Sequence, residues 1–504
     1  MTISSWGRLV ALGVLALLAS ACSSGNRDRP CKSHASCPTG QHCGENGYCA
    51  LSCRTDKDCG DGICTSLGQC VTMAVGGRDA APAPPPSADG KDAGPAEDRD
   101  ARTVIKARRL LDPERGQILV DRAIVIKGKK IEAIVAEAEA PADGNVIDLG
   151  DAVIMPGLFD VHTHLCLELR DSTDPVLQRW TIHLDQIEHG VADRAIQCVV
   201  SARAVLRAGF TTVRDLGNAS DYADTALRKA ITSGLIEGPT VVNAGRIIAP
   251  VGGQLPGFAP GRESIVAPEY IEADSPDAVR RAVRENILHG ARVIKLVVDP
   301  NLYTYSVDEI RAAVEEAHGA GLKVAAHCVS NEGCRRAAEA GVDSAEHGYQ
   351  LREDVIRLLA AKKVYLVATD STADMYEQMG LPPKLARKLR ADAIKRLSLA
   401  YKFGVPLAFG SDGYMPGRIE QAMNNIESYV EAGLPTDEVL RTLTVNAAKL
   451  MNMDKARGAL QPEMYADIIA TCDDPLKDIT ALRRVQFVMK EGEVVTPEDP
   501  VTCP

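Results

Sequence analysis

The sequence predicts an α/β protein: a (β/α)8 TIM barrel with a small β-sandwich formed by both ends of the catalytic region, preceded by a disulfide-rich module. Three observations carry this reading. Short apolar runs alternate with helical stretches eight times between residues 151 and 456. Strand-like runs recur on both sides of that region, at 103–150 and 457–498. Eight cysteines crowd the segment 31–70 ahead of it.

At the N-terminus, Arg8 precedes the apolar run Leu9 to Leu18, which is too short for a membrane-spanning helix of about 20 residues and fits a secretion signal. Ala19-Ser20-Ala21-Cys22 resembles a bacterial lipobox, with Ala19 where that pattern prefers Leu. Residues 1–22 are therefore read as a lipoprotein signal peptide. Cys22 would carry the lipid and be the chain's sole tie to a membrane, in the periplasm or at the cell surface.

Cys31, Cys37, Cys43 and Cys49 are spaced like Cys53, Cys59, Cys64 and Cys70 to within one residue, which marks an internal repeat. An even, dense cysteine set behind a secretion signal implies disulfides, and the close C-x2-C pairs of zinc modules are absent. Each copy is too small for its own core, so the module is a spacer or binds a partner that the sequence does not name. The Ala/Pro/Gly-rich stretch 71–102 is a linker.

The flanking strands are expected at 123–126, 130–134 and 146–148, and again at 466–470, 485–489 and 493–495. The eight barrel strands centre near Val161, Val213, Val241, Ile294, Ala325, Ala345, Leu366 and Ala408. Helices are expected over Asp277 to His289, Val307 to Ala320 and Pro383 to Phe403. With 504 residues and 45% hydrophobic content there is material for a large core. A net charge of −11 argues against a nucleic-acid partner, which would want a basic face.

The chemistry concentrates at strand ends. In Phe159-Asp160-Val161-His162-Thr163-His164, residues i and i+2 share one face of a strand, so His162 and His164 point the same way. Two imidazoles side by side can chelate a metal, although such a pair alone also arises by chance. The fourth strand carries Lys295 inside an apolar run, where an ammonium is costly to bury. The fifth ends in Ala326-His327-Cys328, the sixth in Glu346-His347-Gly348, and the eighth in Gly410-Ser411-Asp412. All fall at carboxyl ends, where barrel enzymes keep their sites.

This set, from about Thr103 to Pro497, resembles the amidohydrolase superfamily, and within it the imidazolonepropionase-like branch of metal-dependent dipeptidases and carboxypeptidases, including Xaa-Pro types. The resemblance implies that His162 and His164 bind a first metal and His327 and His347 a second. Lys295, carboxylated by carbon dioxide to a carbamate, bridges both. Asp412 binds the first metal and is the general base. Two divalent ions are implied, with zinc the default for these ligands, and a metal-bridging hydroxide would attack a C–N bond of a small substrate such as a dipeptide or N-acyl amino acid. Other small amides, cyclic amides, esters or lactones stay open on the same scaffold, as does a non-catalytic surface lipoprotein. Mononuclear deaminases lack the strand-four lysine and tend to place a Glu three residues after the strand-five histidine, where this chain has Ser330.

Two residues bear on substrate. Tyr305 follows the Lys295 strand, in a region where the resembling branch uses a tyrosine to meet a substrate carboxylate; packing is the competing reading. Gln254, in Val251-Gly252-Gly253-Gln254, stands where that branch commonly has histidine. His318 is expected to be structural, and His183, His189 and His289 surface or packing residues. Cys166 and Cys328 should face away from the lumen by strand alternation. Cys166, Cys198, Cys328, Cys334, Cys472 and Cys503 are candidates for disulfides whose pairing the sequence leaves open, as it leaves open homo-oligomerisation. The basic run from Lys384 to Arg396 reads as a solvated helix face.

Overall fold

The computed structural model describes residues 41–43, 49–51, 62–64, 70–72, 102–167, 184–254, 261, 263–265, 267–299, 303–378, 380–413, 419–495 and 503. The signal-peptide reading, His183 and most of the linker lie outside them. Two compact units are present, residues 1–94 and 95–504.

In the first unit, Gln41–Cys43 pairs antiparallel with Cys49–Leu51, and Gly62–Cys64 pairs with Cys70–Thr72. Cys43 stands opposite Cys49, and Cys64 opposite Cys70. The two copies of the cysteine repeat therefore share one hairpin register.

The second unit has a TIM-barrel-like α/β fold. Strands β1 (Leu158–Thr163), β2 (Phe210–Asp215) and β3 (Thr240–Asn243) run parallel in that order. Strands β4 (Val293–Val297), β5 (Lys323–Cys328), β6 (Ser344–His347) and β7 (Tyr365–Val367) continue the parallel series. The Arg292 amide donates to the Asn243 carbonyl at 2.7 Å, joining β3 to β4. On the far side Leu366 bridges Leu407, and the Val161 amide donates to the Phe409 carbonyl at 2.9 Å. The eighth expected strand is thus a short bridging segment rather than a full one. Gly410 explains its close approach to β1, because a Cβ there would lie 2.6 Å from His162 Cβ.

Every residue of β1, β2, β4 and β6 is buried, as expected of parallel strands covered on both faces. Helices Pro276–Leu288, Val307–Gly319 and Pro383–Lys402 match the apolar periodicity closely. Ser306 and Glu309 form a capping box that fixes where the second of these begins.

Both ends of the catalytic region meet in one mixed sheet. Arg102–Asp112, Gln117–Lys127 and Lys130–Ala136 join Ile468–Thr471 and Val485–Lys490 through Val153–Pro156. The sequence reading placed residues 153–156 inside the barrel. Their hydrogen bonds go to Ile468–Thr471, and Gly157 is the hinge where the chain passes from this sheet into β1.

Candidate metal centre

The carboxyl ends of the barrel strands bring the six expected metal-site residues into one cluster. The His162 and His164 rings lie 5.4 Å apart, His162 and His347 5.0 Å, and His327 and His347 4.5 Å. Asp412 Oδ1 sits 3.3 Å from His164 Nε2 and 3.5 Å from His162 Nε2, and its Oδ2 lies 3.9 Å from His347 Nδ1. Lys295 Nζ is 3.4 Å from His162 Nε2. Among the described residues, one ligand atom each from His162, His347 and Asp412 lie within 4.8 Å of one another.

The backbone is bent to achieve this. His347 (φ 74°), Thr369 (φ 51°) and Asp412 (φ 56°) all occupy left-handed conformations that non-glycine residues rarely adopt. Three such residues at one barrel mouth are strained positions of the kind that functional sites retain. The Asp412 turn is fastened by its amide donating to the His162 carbonyl at 2.8 Å.

Three of the four histidines have Nδ1 engaged by a neighbouring group. His162 Nδ1 meets Glu346 Oε2 at 2.8 Å, His164 Nδ1 the Gly217 carbonyl at 2.9 Å, and His347 Nδ1 the Thr369 hydroxyl at 2.8 Å. The partners of His162 and His164 fix the tautomer and leave Nε2 for a ligand ahead, whereas His347 Nδ1 also faces Asp412 Oδ2. His327 differs: the Gln254 amide lies 3.2 Å from its Nδ1 and 3.5 Å from its Nε2. Gln254 therefore joins the cluster through a histidine.

Electrostatics favours the ligand forms. Burial, reinforced by Lys295, pushes His327 down to about 3 and His162 well below the usual imidazole range. Burial likewise lowers His347, helped by the neighbouring histidines. Burial pushes Lys295 down to about 8 against the pull of Glu346 and Asp412, easing loss of its proton. Burial would raise the Asp412 carboxyl, but His162, His164 and Lys295 beside it outweigh that and hold it below the ordinary carboxylate range. Neutral imidazoles, an ionised carboxylate and a buried amine able to shed its charge are a donor set that fits divalent metal ions.

Tyr305 does not join the cluster. It is buried, and its hydroxyl donates to the Ala273 carbonyl at 2.7 Å. The chain folds back after β4, with the Tyr305 amide donating to the Val298 carbonyl at 2.8 Å. His318 pairs with Asp343, His289 stacks on Tyr222 and His189 bonds Asp185. Sequence reading missed the groups behind the ligands. Arg214 Nη2 donates to Glu346 Oε1 at 2.8 Å, and Tyr349 bonds the Thr369 hydroxyl at 3.1 Å. Arg214 was signalled only by a charge in an apolar strand, and Thr369 by nothing.

A family model described as the amidohydrolase family matches residues 153–495. The chain belongs to that family. Ochratoxinase of Aspergillus niger is 29% identical to this amidohydrolase over 432 residues, spanning 78% of this chain and 87% of the relative. A Xaa-Pro dipeptidase crystallised with methionine in its active site superposes with a TM-score of 0.69 at 28% identity, covering 78% of this chain and 99% of its own. A prolidase complexed with N-methylphosphonate-L-proline gives a TM-score of 0.69 at 28% identity, covering 79% and 100%. Membership of the amidohydrolase family, with these enzyme relatives, marks the chain as a hydrolase.

Proposed function

We propose that this amidohydrolase is a binuclear metal-dependent hydrolase that cleaves the C–N bond of a small amide such as a dipeptide or N-acyl amino acid. The observation that carries the reading is the convergence of four histidines, Lys295 and Asp412 at the strand ends. His162, His164 and Asp412 would hold one ion and His327 and His347 the other, with Lys295 as a carbamate between them. When bound, the ions supply a Lewis acid for the substrate carbonyl and lower the pKa of water. Zinc suits the ligands.

The chain's own residues divide the remaining work. A water adds to the carbonyl carbon, and Asp412 accepts its proton at the carboxylate facing His164. Asp412 then returns that proton to the leaving nitrogen as the C–N bond breaks, giving an acid and an amine. Asp412 suits this role because its backbone is locked to His162 and its carboxylate stays ionised. Glu346 and Arg214 hold the His162 ring still. The Xaa-Pro dipeptidase and prolidase relatives favour C-terminal proline among the substrates to try first, with arginine and lysine next.

We place the enzyme outside the cytoplasm, anchored through Cys22. Three disulfides among the described residues suit an oxidising compartment.

The test is metal analysis and a hydrolysis screen of dipeptides and N-acyl amino acids on the whole chain, wild type beside Asp412→Asn. About two metals per chain with turnover lost in Asp412→Asn is the expected result. Metal without turnover would redirect the search to cyclic amides, esters and lactones. Absence of metal uptake with zinc and bicarbonate supplied would sink the enzyme reading in favour of a binding lipoprotein.

A further inference from the structure

The six cysteines that the sequence left unpaired form three bonds: Cys166–Cys198, Cys328–Cys334 and Cys472–Cys503. Two of these start within two residues of a proposed metal ligand. Cys328 directly follows His327 at the end of β5, and alternation turns it toward the helical layer while His327 faces the mouth. Its partner Cys334 lies early in helix Asn331–Ala340. Cys166 stands two residues after His164 and joins Cys198 in helix Val191–Arg207. All four are fully buried. The third bond lies at the mixed sheet, where Cys472 follows Ile468–Thr471 and Cys503 bridges Gly150.

The neighbouring hydrogen bonds show strand ends pinned on two sides. Asp299 accepts from the amides of Val329 at 2.8 Å and Ser330 at 2.6 Å, inside the turn that Cys328–Cys334 closes. The Leu165 amide donates to Asp215 at 2.6 Å, next to Cys166. Neighbouring strands fix one side, and the disulfides fix the other to the surrounding helices. A bond across 6 residues closes a short loop and restricts the unfolded chain less than bonds across 31 or 32. Cys328–Cys334 therefore gives least to overall stability and acts chiefly on local geometry.

We propose that Cys166–Cys198 and Cys328–Cys334 are positioning cross-links that hold His164 and His327 in the geometry that takes metal, so that metal retention depends on these two bonds and not on the third. The inference rests on the binuclear reading above. Metal sites demand ligand placement within about 0.5 Å, which a free strand end does not guarantee.

The experiment compares the full chain with three paired variants: Cys166→Ala with Cys198→Ala, Cys328→Ala with Cys334→Ala, and Cys472→Ala with Cys503→Ala. Zinc affinity is read by chelator competition, and the thermal midpoint is read separately on the metal-free form. The two site pairs are expected to bind zinc about 10- to 100-fold more weakly, the range for lost ligand support. The third pair is expected to keep wild-type affinity even where its midpoint falls. Should a site pair fail to fold, the folded wild type is reduced instead with a water-soluble phosphine. Two electrons from phosphorus turn each disulfide into two thiols, and the phosphine oxide takes its oxygen from water. Zinc loss that tracks labelling of Cys166, Cys198, Cys328 and Cys334, and not of Cys472 and Cys503, supports the proposal; zinc kept at wild-type affinity with those four thiols labelled overturns it. Site pairs that lose thermal stability like the third pair but bind zinc normally also overturn it, leaving the binuclear reading intact. A wild-type chain that takes up no zinc removes both.

Discussion

The two halves of the candidate metal centre are supported by different chemistry. His162 and His164 rest on a buried carboxylate and a backbone carbonyl, and Glu346 behind His162 is itself paired with Arg214. His347 and His327 rest on a hydroxyl and an amide, from Thr369 and Gln254. The first support comes from β6 and β2 for His162, and from Gly217 just beyond β2 for His164. The second comes from residues just beyond Ile247–Ala249 and β7. A carboxylate makes an imidazole a stronger ligand, whereas a neutral partner chiefly orients it. The difference teaches that His162 is fixed by an ion pair built into the barrel strands, whereas the other three rings rest on neutral groups beyond strand ends.

The largest expected effect breaks the first half. Glu346→Gln leaves the buried Arg214 guanidinium without its counter-charge, both side chains being at most 1% exposed. Losing one partner of a buried ion pair costs about 3–5 kcal/mol, to be read by denaturant unfolding of the metal-free protein. Affinity for the first ion should also fall about 10- to 100-fold. If unfolding shifts but both ions bind as before, the carboxylate supports the fold and not the ligand, and the contrast between the halves disappears. Next comes Thr369→Ala, which strips the hydroxyl from His347 Nδ1. Affinity for the second ion should drop about 10-fold, with Thr369→Ser restoring it. An equal loss in both variants would mean that the left-handed turn, not the hydroxyl, is what matters.

The clustered histidines, Lys295 and Asp412 were legible in the sequence and the groups that support them were not, for a physical reason. Period-two alternation along a strand puts His162 and His164 on one face whatever surrounds them. Lys295 announced itself as a charge in an apolar run. Glu346 and Arg214, by contrast, are 132 residues apart and meet only because the sheet curls. The β1-to-sheet boundary was hidden similarly: Val153–Pro156 and β1 form one apolar run broken by Gly157, and only pairing with Ile468–Thr471 separates them. The six cysteines beyond the linker were disulfide candidates through the oxidising compartment, while the partners of the four in the barrel depended on which helix covers which strand.

A smaller effect sharpens the second half. Gln254→Ala removes one hydrogen bond to His327, and such a bond to a neutral partner is worth about 0.5–1.5 kcal/mol. Zinc affinity should therefore weaken by no more than about 10-fold, less than for Glu346→Gln. A KM rising with zinc content unchanged would instead assign the amide to substrate.

Tyr305→Phe should do least to the chemistry. The phenol is buried, and its hydroxyl donates to the Ala273 carbonyl rather than to any residue of the histidine cluster. Deleting the hydroxyl leaves that carbonyl short of a donor, a cost of about 1–3 kcal/mol in unfolding free energy. Metal content and kcat/KM should stay at wild-type values, because the ring still fills its place in the core. A kcat/KM that collapsed at full metal occupancy would mean the segment around Tyr305 rearranges to meet substrate. The second half of the site would then be mobile as well as loop-built.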